Sequence, residues 1–163
     1  MKNLLVTIFV LISASLFADD GKTKFASHVI EEIADNTLRQ FGYSFYKATD
    51  VKWVSNSNFQ KAIFKLGGKE SYAIYNNQSQ FLVATQKIES TDLPVKAQDY
   101  IKNNYADYVV NSSVKVIARP YDYQYSDDTN SFWVSLLNQN KQVILLIQPD
   151  GSSTVVSSTK LSY

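Results

Sequence analysis

Cysteine is absent from this 163-residue chain, and histidine occurs once, at His28. The missing thiols exclude disulfide scaffolds, thiol catalysis, Cys-ligated zinc and iron–sulfur clusters. They also exclude a lipid-modified N-terminal cysteine. With one imidazole, a hydrolytic triad has a single candidate base. His28 falls in the first turn of a predicted helix, with no nucleophile signature beside it, and reads as an exposed or capping residue. An excess of either charge is missing too: 16 Lys and Arg stand against 15 Asp and Glu. That balance argues against a general nucleic-acid binder, which needs a basic surface to displace counterions. No glycine-rich loop is present to cradle a phosphate. Asp127-Asp128-Thr129-Asn130 offers oxygen ligands but lacks the spaced acids and closing Glu of a calcium loop, so it reads as a solvated turn. Nothing among the acidic residues selects a facing carboxylate pair for glycoside hydrolysis. The inventory implies a protein that is not an enzyme and holds no cofactor or metal.

What is present begins with an address. Met1-Lys2-Asn3 precedes the apolar run Leu4 to Ile12, and small residues lead to Ala18 before Asp19-Asp20. A basic start, a short apolar block and small residues describe a secretory signal peptide over residues 1–18. The run is shorter than the ~20 residues a membrane-spanning helix needs, so no membrane anchor is expected after cleavage. The expected location is periplasmic or secreted. Removing residues 1–18 takes away Lys2, which leaves the mature chain, 19–163, formally neutral.

Apolar side chains at Phe25, Val29, Ile30, Ile33, Leu38 and Phe41 predict an amphipathic helix over 25–41, with Gly42 as its stop. Strands follow at 51–54, 59–66, 71–75 and 81–88, and Gly67-Gly68 marks a hairpin. Asp92-Leu93-Pro94 predicts a second helix start, with Ala97, Ile101, Tyr105 and Tyr108 as its buried stripe. Strand patterns return at 114–118, 132–137, 143–147 and 154–156, with a tyrosine-rich stretch at 121–125. The order reads as a weak internal repeat, the second unit holding an insertion between its first two strands. Each unit is too small to bury a helix face and a sheet face alone. The expected fold is α+β: two tandem helix-plus-antiparallel-strand units forming one sheet, with the helices packed on one face.

The segments Phe45-Tyr46-Lys47-Ala48-Thr49-Asp50-Val51-Lys52-Trp53, Phe59 to Phe64, Asp92-Leu93-Pro94-Val95, Ile101 to Tyr105 and Pro149-Asp150-Gly151 carry a resemblance by their order and spacing. Together they resemble the PepSY-like, β-lactamase-inhibitor-protein-like secreted proteins of Bacteroidetes, over about residues 38–157. The resemblance implies a helix-plus-antiparallel-sheet domain over 19–163, export, no catalytic motif, and protein contact through an aromatic sheet face. One departure is the turn Asn76-Asn77-Gln78-Ser79, where the family has an acidic Asp-Gly turn, so any carboxylate role there is lost.

Eleven tyrosines are a heavy load for this length. Tyr121, Tyr123 and Tyr125 lie in the insertion at period two, so an extended chain would project all three from one face. Such a ladder suits protein or glycan contact, because tyrosine offers a broad ring and a hydroxyl at low entropic cost. Packing over the helices or the sheet edge is the competing reading. Trp133 follows on the next strand and joins the three tyrosines as a candidate partner-binding residue. Trp53 reads as core. The expected function is an exported, non-enzymatic binding module with a protein partner, such as an inhibitor or regulator of an extracytoplasmic enzyme. The alternative is a glycan or small-ligand module using the same aromatic face. The sequence leaves the oligomeric state open.

Overall fold

A computed structural model describes residues 32–121 and 128–161. The predicted signal-peptide segment, His28, half of the apolar stripe (Phe25, Val29 and Ile30), Asp127, and both Tyr123 and Tyr125 lie outside those residues. The described elements are α1 (Asp35–Ser44), β1 (Thr49–Ser55), β2 (Phe59–Leu66), β3 (Lys69–Asn76), β4 (Phe81–Lys87), a 3-10 turn (Ser90–Asp92), α2 (Val95–Asn104), β5 (Val109–Ala118), β6 (Phe132–Leu137), β7 (Lys141–Ile147) and β8 (Ser153–Lys160). The strands form an eight-stranded sheet in sequence order, β1 to β8.

This architecture overturns the α+β expectation. Eight antiparallel strands stand against two ten-residue helices among the described residues, so the protein is predominantly β, not a pair of tandem helix-plus-strand units. Of the first predicted helix, residues 25–31 lie outside the described residues. Residues 32–34 are not helical, and the Ala34 amide donates to the Gln60 side chain at 2.9 Å, so the helix starts only at Asp35. It also runs through the predicted stop at Gly42 to Ser44, ending where the Phe45 amide donates to the Phe41 carbonyl. Leu38, assigned to the apolar stripe, faces solvent. Thr37, Phe41 and Phe45 are the buried positions, at a spacing of one helical turn.

The chain packs as two compact units. One holds residues 32–86 with 116–121 and 128–129. Its sheet places Ala62, Ala73 and Ala84 side by side across β2, β3 and β4, all fully buried. Three small side chains in a row leave room for rings, and the helix supplies them. Phe41 lies 5.0 Å from Phe64 and 5.2 Å from Trp53 by ring centroid, both edge-on, and Phe45 lies 5.1 Å from Phe64. Gly67 and Gly68 both take positive φ, as the two-residue turn between twisted strands requires.

The other unit holds residues 87–115 and 130–161. Pro94 caps the N-terminus of α2, and Asp92 reaches back to the Glu89 amide in the preceding 3-10 turn. The helix buries Ala97 and rests Ile101, followed by Tyr105 and Tyr108, on Val134, Leu136, Val143, Leu145 and Ile147. Gly151, in the turn before β8, has φ +81° and lies so close to the helix start that a Cβ there would meet the Lys96 Cβ at 2.8 Å. The turn therefore needs glycine twice over, for its dihedral and for its neighbour.

Candidate functional site

Of the four candidate contact residues, the structure places two. Tyr121 stands fully exposed just beyond β5, and Trp133 on β6 is 4% exposed. Tyr123 and Tyr125 lie outside the described residues. What the structure adds is an anchor at both ends of their segment. Arg119 precedes it and Asp128 follows it, and the two are joined by a two-pronged ion pair. Arg119 Nε donates to Asp128 Oδ1 at 2.6 Å and Nη2 to Oδ2 at 2.5 Å. The side chains are only 6% and 10% exposed. Arg119 Nη1 also donates to the Leu82 carbonyl on β4 at 3.3 Å. A planar guanidinium matched to a carboxylate fixes orientation as well as distance. Asp128 therefore does not belong to a solvated turn, as its sequence context suggests; it is the buried half of a staple. Sequence periodicity misses it, because a pairing between residues nine positions apart leaves no repeat.

A second feature sits on the sheet face away from α1. Lys61 on β2 pairs across the strands with Val54 and Ile74, and is 1% exposed. Alternation separates it correctly from Ala62 and Phe64 but does not reveal that its own face is buried. Its ammonium lies 4.6 Å from the Tyr72 ring centroid, and the Tyr72 hydroxyl donates to Glu70. The cation is thus held by a ring face with a carboxylate near by. Burial pushes the Lys61 ammonium down to about 8, against the opposing pull of Glu70.

That shift has a measurable sign. The unfolded chain holds the lysine proton up to about pH 10.5, while the folded chain releases it from about pH 8, so stability rises with pH between the two. Tyr72 and Tyr75 act oppositely. Burial raises both above the usual phenol value of 10.0, aided at Tyr72 by Glu70, so their contribution is lost as pH climbs past 10. The clean window is pH 8 to about 9.5, where unfolding free energy should grow by about 1–2 kcal/mol. Lys61→Met should flatten this rise. Urea denaturation at half-unit pH steps reads it; a flat wild-type profile, or a slope surviving in the variant, contradicts the assignment.

In the unit containing α2, a cleft of about 350 Å³ opens beside Ile101, Lys102, Tyr105 and Tyr108. Tyr105 meets Tyr108 edge-on at 5.3 Å. Sequence reasoning treats these rings as structural, and they do rest on the core, with one side lining the cleft. Among the described residues, no three Asp, Glu, His or Cys side chains converge to hold a metal ion. No described helix is long and apolar enough to cross a membrane.

No family model matches the chain, and no curated protein does. Solved structures do. A BLIP-like protein from Bacteroides fragilis superposes with a TM-score of 0.62 at 16% identity, covering 82% of this chain and 89% of that one. A DUF2874 family protein from Bacteroides uniformis gives 0.62 at 13% identity, covering 79% and 90%. A protein from Bacteroides eggerthii, provisionally called periplasmic, gives 0.61 at 13%, covering 80% and 90%. At these identities the likeness is one of fold. It agrees with the inhibitor-protein-like part of the resemblance drawn from the sequence, while the PepSY-like label has no counterpart among the three. The chain has the fold of these BLIP-like and DUF2874 proteins of Bacteroides.

Proposed function

We propose that this protein is an exported, non-enzymatic binding module that grips a protein partner with the segment carrying Tyr121, Tyr123 and Tyr125. The observation that carries the reading is the staple: a buried pair joins Arg119 and Asp128, the residues on either side of the segment, and the first tyrosine beyond Arg119 is fully exposed. Tying together the two ends of a contact segment lowers the ordering entropy due on binding. Tyrosine then supplies contact area with few rotamers to freeze. The formal neutrality of the mature chain suits short-range contact more than electrostatic steering. Trp133, being buried, is not needed in this contact. The BLIP-like fold of the neighbours and the basic-apolar N-terminus support an inhibitor or regulator of an extracytoplasmic enzyme.

The test is capture from periplasmic and secreted fractions with the wild-type chain and with the triple variant Tyr121→Ala, Tyr123→Ala, Tyr125→Ala. Wild type should retain a specific protein, and the triple variant should lose at least ~90% of it, as expected when contact anchors are truncated. Equal capture by both, or none by either, overturns the proposal. Saturable binding of a glycan, abolished by Tyr123→Ala, would replace the protein partner with a carbohydrate.

A further inference from the structure

The two outermost strands of the sheet differ in how they are guarded. β1 carries the charges Asp50 and Lys52, an irregular register between Thr49 and Lys52, and Asp50 itself at φ +53°. Asp50 is also tied to Lys65 by an ion pair of 2.8 Å. Charges, bulges and bent backbone are the devices that keep a sheet edge from pairing with another chain. β8 has one irregularity, where Val156 is passed over between Val155 and Ser157, but no proline, and no charge from Ser153 to Thr159. Eight residues long, it has a strand neighbour, β7, on one side only among the described residues. Val155 is 45% exposed.

Charges do stand at its two ends. Lys160 closes the strand, and Asp150 sits in the turn before it. Asp150 Oδ1 accepts from the Ser152 amide at 2.9 Å and from its hydroxyl at 2.6 Å, which fixes the carboxylate at the turn. Opposite charges at opposite ends of one strand make that strand complementary to itself run backwards.

We propose that β8 is a docking edge for a second copy of this chain, pairing antiparallel with its own counterpart about a two-fold axis at Val155. The two Val155 residues then face each other as a cross-strand pair. Ser153 of each copy lies against the Ser157–Ser158 stretch of the other. Each Lys160 reaches the Asp150–Gly151 turn of the other copy, giving two ion pairs from one symmetric contact. The alternation of the ladder supports this register. Gln148 and Ser152 bond at one end of the β7–β8 pair and Asn140 and Leu161 at the other, both at 2.9 Å, which turns the Ser153 and Val155 backbone groups outward. A foreign extended peptide would find the same backbone groups, but not the matched charges at both ends. The inference is independent of the tyrosine segment.

The experiment is sedimentation equilibrium of the purified chain from about 1 µM to about 1 mM. Wild type should show a monomer–dimer equilibrium. Val155→Lys, which sets two like charges across the axis, should weaken it at least ~tenfold. Lys160→Glu should weaken it roughly fivefold and remove most of its salt dependence. Circular dichroism checks that the variants fold; Lys160 is exposed at the strand end, so its variant remains informative if Val155→Lys does not fold. A wild-type chain monomeric throughout overturns the proposal, as does a dimer indifferent to Lys160→Glu. A monomer that instead binds an unrelated extended peptide along β8 assigns the edge to a different partner and also overturns it.

Discussion

Asp128→Ala should cost the folded chain about 3–5 kcal/mol, a large share of what a domain of this size has to lose. The reason lies in what remains after the change. Arg119 keeps its guanidinium, 6% exposed, and its bond to the Leu82 carbonyl, but loses the carboxylate that accepts two of its donors at 2.6 and 2.5 Å. A buried cation stripped of its counter-charge is penalised by desolvation, and that penalty, not the net worth of the pair, sets the size of the effect. It follows that the double variant Arg119→Met, Asp128→Leu should regain most of the loss, since neither charge is then buried. Because the pair is shielded from solvent, the effect should change little between low and high salt. Urea unfolding with an unchanged m-value reads the stability directly. A cost below about 1 kcal/mol would place the pair among ordinary surface ion pairs, and the tyrosine segment would lose its staple.

The contrast between this pair and the rest of the fold shows what a sequence can reveal. Strands announce themselves by alternation. Phe59 to Leu66 puts Ala62, Phe64 and Leu66 on one face, and Gly67-Gly68 turns the chain, both as local pattern requires. The stripe Ala97, Ile101, Tyr105 was equally legible, because a helix repeats over a single turn. Three things were not. The start of α1 at Asp35 follows an Ala34 amide bonded to Gln60, 26 positions away in sequence. Burial of Lys61 depends on whether both sheet faces are covered, which alternation cannot report. The Arg119–Asp128 staple joins two charged letters nine apart, which look the same in sequence whether paired or solvated. Local order was thus readable and long-range partnership was not, and the candidate site is built mostly from the second.

Phe64→Ala should be comparably severe, at about 3–5 kcal/mol, and for a different reason. Phe64 is 1% exposed on β2 and touches both α1-side rings, Phe41 at 5.0 Å and Phe45 at 5.1 Å. Its cross-strand neighbour is Ser71, and the adjacent pair on the same face is Ala62 with Ala73. None of these small side chains can swing into the space a missing ring would leave. The cavity would have to be filled by α1 settling toward the sheet, and α1 is tethered by Phe41 against Trp53 at 5.2 Å. A site that cannot collapse loses both the transfer free energy of the ring and the dispersion contacts of its lining. The aromatic quartet should therefore respond as a unit. Phe41→Ala and Phe64→Ala together should cost clearly less than the sum of the two, because each removal already breaks their edge-on contact. A double-mutant cycle by urea denaturation measures the difference, expected at about 0.5–1.5 kcal/mol. Additive costs would mean that the two rings pack independently, and that the row of alanines beneath them, not ring-on-ring contact, determines where α1 sits.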